Sequence, residues 1–132
     1  MAPVPAGDQL TDAQRTRLDE AIRAAERHSR VEFSVFIGTA AGDPRSFATQ
    51  LHNSLVAPAR SILVLVDPTV RALEIVTGGW VRRTLTDKEV ELAALHMQQA
   101  FGEDDLVGGL VRGIHMLADH ARPAQTLHAP DA

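Results

Sequence analysis

The chain has 132 residues, of which 45% are hydrophobic and 23% charged, so it is long enough for one domain with its own core and too apolar for wholesale disorder. Its formal net charge of −4 gives no electrostatic reason to bind nucleic acid, and the lack of cysteine excludes disulfides, thiol catalysis and thiolate metal sites. No apolar run approaches the roughly 20 residues of a membrane-spanning helix, and the start lacks the pattern of a signal peptide. We therefore expect a cytoplasmic protein without a membrane span.

The first two helices are predicted from the residues at their starts. Thr11 and Gln14 have the spacing of a capping box, and an apolar stripe follows to about His28. Asp43, directly before a proline, is a typical cap for the second helix, which has to end before Pro58.

Three apolar segments are predicted as strands, at residues 31–37, 61–66 and 72–77. The second is apolar almost throughout, as expected of a strand covered on both faces, and a turn at residues 67–69 joins it to the third in an antiparallel hairpin. A helix separates the first and second strands, which predicts parallel pairing through a right-handed crossover. We expect the first strand to be central in the sheet.

Two more helices complete the predicted fold. Thr86, followed three residues later by a glutamate, begins a second capping box and a helix that ends at Gly102. The last helix runs to Arg122. Its Gly109 and Gly113, four residues apart, are predicted to let it approach a neighbouring helix closely.

The element order α-β-α-β-β-α-α predicts an α/β fold, a three-layer α/β/α sandwich with a mixed sheet. We assign it to a single domain at residues 10–122. A flexible N-terminal arm at residues 1–9 and a flexible C-terminal tail at residues 123–132 are expected on either side, because both segments are short, polar or proline-containing chain ends.

Carboxylates give the strongest local signal of a site. Glu103, Asp104 and Asp105 precede the last helix, and their oxygens suit a hard cation such as Ca²⁺ or Mg²⁺. Capping of the helix start alone explains the same residues. Glu32 is a further polar position, on the first strand, and open α/β sheets bind ligands at the carboxyl ends of parallel strands. The candidate metal ligands are therefore Glu32, Asp104 and Asp105.

A basic segment follows the glycine pair that ends the third strand. Arg82 and Arg83 are candidates for binding a phosphate or a carboxylate. The alternative is that both arginines are simply solvated. Trp80 is predicted to cover an edge of the core rather than to stack on a ligand.

Six segments in combination are similar to the motifs of one known family. They are Leu10-Thr11-Asp12, Val31-Glu32-Phe33-Ser34-Val35, Arg60 to Val66, Leu73 to Gly78, Leu85-Thr86-Asp87 and Phe101 to Leu110. On these segments the chain resembles the TPM domain over about residues 10–121. That family is shared by a thylakoid photosystem-repair protein and many bacterial envelope proteins, and the resemblance is strongest to an actinobacterial branch of unknown function.

The resemblance implies an α/β/α sandwich with a cleft at the strand ends. In some members of the family this cleft is associated with Ca²⁺ or with acid phosphatase activity. Thr77 and Gly78 stand where the family has a glycine-rich segment after its third strand. They join Glu32, Arg82 and Arg83 as the candidate ligand-binding residues.

The sequence favours a non-catalytic binding or scaffold domain, because no nucleophile–base pair and no phosphate-binding or dinucleotide-binding motif can be assembled from it. We expect an unknown protein partner, and the oligomeric state is left open. The alternative is a divalent-cation-dependent, acid phosphatase-like hydrolase. It requires Glu32, Asp104 or Asp105 to line one pocket with Arg82 or Arg83.

Overall fold

The structure, a computed structural model, describes residues 10–123. Within them lie four helices, α1 (Asp12–Ser29), α2 (Pro44–Asn53), α3 (Asp87–Gly102) and α4 (Leu106–Ala121), and three strands, β1 (Glu32–Ile37), β2 (Ser61–Asp67) and β3 (Ala72–Thr77). Single 3₁₀ turns lie at Pro58–Arg60 and Val81–Arg83. None of the described helices has both the length and the apolar character needed to cross a membrane. The predicted arm and nearly all of the predicted tail lie outside the described residues.

The strands form one mixed sheet in the order β1-β2-β3. β1 is parallel to β2, with Glu32 opposite Ser61, and β3 is antiparallel to β2, with Asp67 opposite Ala72. The predicted mixed α/β fold is therefore confirmed, whereas the three-layer arrangement stays a prediction. The expectation that the first strand is central is wrong. β2 is central because it pairs with both other strands, and it is buried at every residue. β1 lies at an edge of the sheet, and its Glu32 is exposed.

The two faces of the sheet contribute to different hydrophobic clusters. On one face, Phe33, Ile62 and Val64 belong to the large core that also contains residues of α1, α3 and α4. On the other face, Leu63 and Leu65 pack with residues of α2. Successive strand residues point to opposite faces, so the continuous apolar run of β2 supplies both clusters.

The helices begin and pack as their sequences predict. The Thr11 hydroxyl accepts the Gln14 N–H (3.1 Å) while the Gln14 side chain accepts the Thr11 N–H (2.9 Å), and Thr86 forms the same reciprocal pair with its own partner. α3 and α4 make a close contact at two glycines: a Cβ at Gly109 would lie 2.8 Å from the Ala100 Cβ. The predictions of two capping boxes and of a close helix contact are confirmed.

Side chains bind outward-facing backbone groups of both edge strands. The Glu26 carboxylate accepts the Phe33 N–H of β1 (3.1 Å). On β3, the Arg45 Nη1 donates to the Ile75 carbonyl oxygen (2.9 Å), and the Arg82 Nη1 donates to that of Thr77. Unpaired strand edges are sites of unwanted pairing with other chains, and these contacts reduce that exposure.

Candidate functional site

A cavity of about 610 Å³ opens at the end of the sheet where β2 passes into β3. It lies between the hairpin turn and the connection from α3 to α4, and this is the end of the sheet at which the parallel strands β1 and β2 finish. Its volume is typical of small-molecule sites, and open α/β sheets bind ligands at such strand ends. The lining residues are Val66, Asp67, Pro68, Arg71, Ala72, Leu73, Gln98, Phe101, Gly102, Asp104 and Leu106.

Asp67 is the charged group most deeply placed in this cavity wall. It is 2% exposed, its Oδ2 accepts the Ala40 N–H (2.9 Å), and its Oδ1 accepts the Thr69 N–H (3.0 Å). A carboxylate offers about four lone-pair positions, so two remain for a further donor. No basic side chain among the described residues forms an ion pair with it. Asp67 is therefore held by two backbone hydrogen bonds and has no ion-pair partner among the described residues.

Two cavity residues have unusual backbone conformations. Arg71 (φ 56°) and Asp104 (φ 61°) lie in the left-handed region, and both line the cavity. Non-glycine residues adopt this region at a cost and are concentrated at functional sites and tight turns. Arg71 lies in the turn between β2 and β3, and Asp104 lies in the connection between α3 and α4. Each wall of the cavity therefore contains a tight turn with a left-handed residue.

The two candidate aspartates before α4 have different positions. Asp104 lines the cavity. Asp105 is the cap of α4: its Oδ1 accepts the Gly108 N–H (3.0 Å), and its Oδ2 lies 3.3 Å from the Arg112 Nη2. The capping interpretation is therefore confirmed for Asp105.

Glu32 lies at the opposite end of the sheet from this cavity. It begins β1 opposite Ser61, whereas the cavity borders Asp67 at the end of β2, roughly 20 Å away at about 3.3 Å per strand residue. The structure does not bring Glu32 together with Asp104 and Asp105. Across residues 10–123, no group of three or more His, Cys, Asp or Glu side chains is arranged to hold a metal ion. Binding of Ca²⁺ or Mg²⁺ stays a prediction.

The other candidate ligand-binding residues do lie at the Glu32 end. Thr77 is the last residue of β3, and the Gly78 N–H donates to the Ser61 carbonyl (3.0 Å). The Arg82 guanidinium binds the Thr77 carbonyl oxygen, so part of its donor capacity serves the strand edge. A ligand at these residues stays a prediction.

The hydrolase alternative required Glu32, Asp104 or Asp105 to line one pocket with Arg82 or Arg83. Arg82 and Arg83 follow the end of β3, whereas Asp104 lines the cavity beside its start. The two sets are at opposite ends of the hairpin. The aspartates are therefore separated from the arginines, whereas Glu32 lies at the arginine end of the sheet. A pocket shared by Glu32 and these arginines stays a prediction.

His52 and Asp67 are buried polar residues that the sequence did not single out. The His52 Nε2 lies 2.9 Å from the Ser61 carbonyl oxygen. A carbonyl only accepts hydrogen bonds, so the Nε2 carries the proton. This histidine joins the end of α2 to the start of β2 and has a structural role. For Asp67 the available signal was a carboxylate directly after an unbroken apolar strand.

Comparison with known protein families shows which family the chain belongs to. The family described as Domain of unknown function (DUF5130) matches residues 4–118. The chain belongs to this family. The resemblance to the TPM domain is therefore wrong as an assignment. Its segments were helix caps, apolar strands and glycine positions, which many α/β folds need for the same physical reasons.

Two curated relatives of this DUF5130 domain are mycobacterial. It is 27% identical over 111 residues to an uncharacterised protein of Mycobacterium tuberculosis, Rv2468c in strain H37Rv and MT2543 in strain CDC 1551. The match covers 84% of this chain and 66% of each relative. The chain thus matches just under two thirds of the length of those relatives.

Three solution NMR structures share the fold of the DUF5130 domain. The BA42 protein of the psychrophilic bacterium Bizionia argentinensis has a TM-score of 0.75 at 19% identity, over 89% of this chain and 86% of that one. The N-terminal domain of cg2496 from Corynebacterium glutamicum has a TM-score of 0.70 at 18% identity, over 91% of this chain and 79% of that one. An N-terminal domain from P. gingivalis has a TM-score of 0.69 at 19% identity, over 88% of this chain and 83% of that one. At these identities the similarity establishes the fold alone.

Proposed function

We propose that this DUF5130 domain is a non-catalytic binding module with its ligand site in the cavity at the ends of β1 and β2. The observation that carries the proposal is Asp67, a buried carboxylate in the cavity wall without an ion-pair partner in the described chain. In this proposal the fold is a three-layer sandwich, and the cavity lies at one end of its sheet.

The lining favours a small ligand with a cationic end and an apolar body. Asp67 and Asp104 supply two carboxylates against the single guanidinium of Arg71, so the lining has a net negative charge. Phe101 and Leu73 supply an apolar wall. A cavity wall that combines charged and apolar side chains can bind both ends of such a ligand.

The same lining supports binding rather than catalysis. It contains no serine, threonine, cysteine, histidine or lysine. Asp67 and Asp104 are the only lining side chains that could act as a nucleophile or a general base, and both oxygens of Asp67 already accept backbone hydrogen bonds. The hydrolase is not proposed, because its support was the TPM resemblance and neither Arg82 nor Arg83 lines the cavity.

The test is an NMR titration of the ¹⁵N-labelled protein with phenethylamine, which has a cationic end and an apolar ring. We expect amide shift changes confined to residues 66–73 and 98–106. Phenethyl alcohol, of the same shape without the charge, should cause smaller changes. Changes elsewhere, or equal changes with the alcohol, would contradict the proposed site.

Two neighbouring glutamines provide a matched pair of variants. Gln98 lines the cavity, whereas Gln99, which is also exposed on α3, does not. Gln98→Trp should fill the cavity mouth and abolish the phenethylamine shifts, and Gln99→Trp should leave them unchanged. If Gln98→Trp binds as the wild type does, the cavity is not the site.

A further inference from the structure

Two arginine side chains contact the Trp80 ring at the end of the sheet opposite the cavity. The Arg60 Cζ is 4.1 Å and the Arg83 Cζ 5.5 Å from the Trp80 ring centroid. Both distances are within the range of cation–π contacts. With the adjacent Arg82, these residues form what we call the Trp80 patch, in which the tryptophan is half-buried and all three arginines are exposed.

The Trp80 patch is held in place by the backbone beneath it. The Trp80 N–H donates to the Ala59 carbonyl and the Gly78 N–H donates to the Ser61 carbonyl, both at 3.0 Å. A Cβ at Gly78 would lie 2.1 Å from the Pro58 carbonyl oxygen, so only glycine permits the two segments to approach this closely. A preformed surface loses little conformational entropy when it binds a partner.

The Trp80 patch has a local excess of positive charge. Among the described residues, Arg60, Arg82 and Arg83 take part in no ion pair. The carboxylate nearest in strand register is Glu32, opposite Ser61. Stacking on the ring uses the face of a guanidinium and leaves N–H donors at its edge, which match carboxylates in bidentate pairs.

We propose that the Trp80 patch is a docking surface for an acidic segment of a partner protein. Tryptophan and arginine are among the residues most enriched in binding hot spots, and here they occur together with no ion pair from the arginines to a described acid. A phosphate cradle would offer free backbone N–H groups, but those of residues 78 and 80 are bonded to residues 61 and 59. The chain's net charge of −4 disfavours nucleic acid.

Trp80 is the sole tryptophan of the chain, so its intrinsic fluorescence reports directly on the patch. The probe is a capped peptide of eight glutamates, with a peptide of eight glutamines as the neutral control. We expect a saturable change in Trp80 emission with the glutamate peptide alone. The affinity should fall as NaCl is raised from 0.05 to 0.5 M, because exposed charges are screened at high salt.

Two double variants remove the same charge from different places. Arg60→Gln/Arg83→Gln should weaken binding by at least about tenfold, as expected for hot-spot residues. Because this variant alters the surroundings of Trp80, its binding is also measured by anisotropy of a fluorescein-labelled peptide. Arg17→Gln/Arg23→Gln removes two exposed arginines of α1 and should leave the affinity within about twofold.

Three results would overturn the proposal. The first is no emission change with the glutamate peptide at millimolar concentration. The second is an equal loss of affinity in both double variants, which would show attraction by overall charge. The third is an emission change that millimolar inorganic phosphate causes and the glutamate peptide does not, which would identify a small-anion site.

Discussion

Gly113 of α4 faces the side chain of Met97 on α3 so closely that a Cβ at position 113 would lie 2.0 Å from the Met97 Cε. Met97 is fully buried, and the same Cβ would also lie 2.5 Å from its Cγ. The thioether therefore occupies the space that any side chain at 113 would need, and this pair sets how near the two helices approach.

Gly113→Ala is expected to lower the free energy of unfolding by about 1–3 kcal/mol, the usual cost of overpacking a core, despite the better helix propensity of alanine. Urea denaturation measures the change. Gly102→Ala is the control, because no atom lies within 4 Å of its added Cβ and stability should not fall. Wild-type stability of Gly113→Ala would show that Met97 repacks without cost.

Arg45→Met removes the hydrogen bond to the Ile75 carbonyl and keeps an apolar stem. We expect it to cost about 1 kcal/mol and to expose the β3 edge, increasing concentration-dependent light scattering. Glu74→Gln removes only the ion pair of Arg45, 3.4 Å long and more than half exposed on the arginine side, and should cost at most a few tenths of a kcal/mol. Equal effects of the two variants in urea denaturation would contradict this assignment.

The pKa of Glu89 is held below its usual value by hydrogen bonds from the Thr86 backbone and hydroxyl and by His120, whose Nδ1 lies 2.9 Å from the Glu89 Oε2. A carboxyl whose pKa is lower in the folded state stabilises the fold above its unfolded pKa, and that contribution is lost as the pH falls through the folded pKa. Glu89→Gln should therefore lose less stability than wild type between pH 6 and pH 3. Urea denaturation across this range tests it. Glu91→Gln, at an exposed position of α3, should follow the wild-type curve.

The melting temperature is expected to be the same with millimolar Ca²⁺, with Mg²⁺ or with a chelator. Asp105 already binds the Gly108 N–H and Arg112, and Glu32 lies at the far end of the sheet, so the three predicted ligands do not share an ion. Thermal unfolding measures this. An increase of several degrees with either cation would establish binding to the folded state and revive the metal prediction.

Local features of this fold were predicted from the sequence, together with the parallel pairing of β1 and β2 and the close contact of α4 with a neighbouring helix. The position of β1 in the sheet and the contacts of Asp67 were not predicted. The Thr11 and Thr86 capping boxes each involve residues three apart, so spacing alone reveals them. The central strand is the one that pairs on both sides, which here is β2. The residues of β1 alone do not show that it pairs on one side only. Asp67 was interpreted as a turn residue because its bond to Thr69 is local, whereas its bond to Ala40 spans 27 residues.

The register of the sheet has a consequence for the order of events on the ribosome. β2 and β3 close only the short turn between Asp67 and Ala72, whereas β1 pairs with a strand that begins at Ser61, after the whole of α2. At 5–20 residues per second, β1 emerges about 1–6 seconds before the strand it needs. During that interval the newly made α1 is the available cover, because the contact of its Glu26 with the Phe33 N–H joins residues only seven apart in the chain.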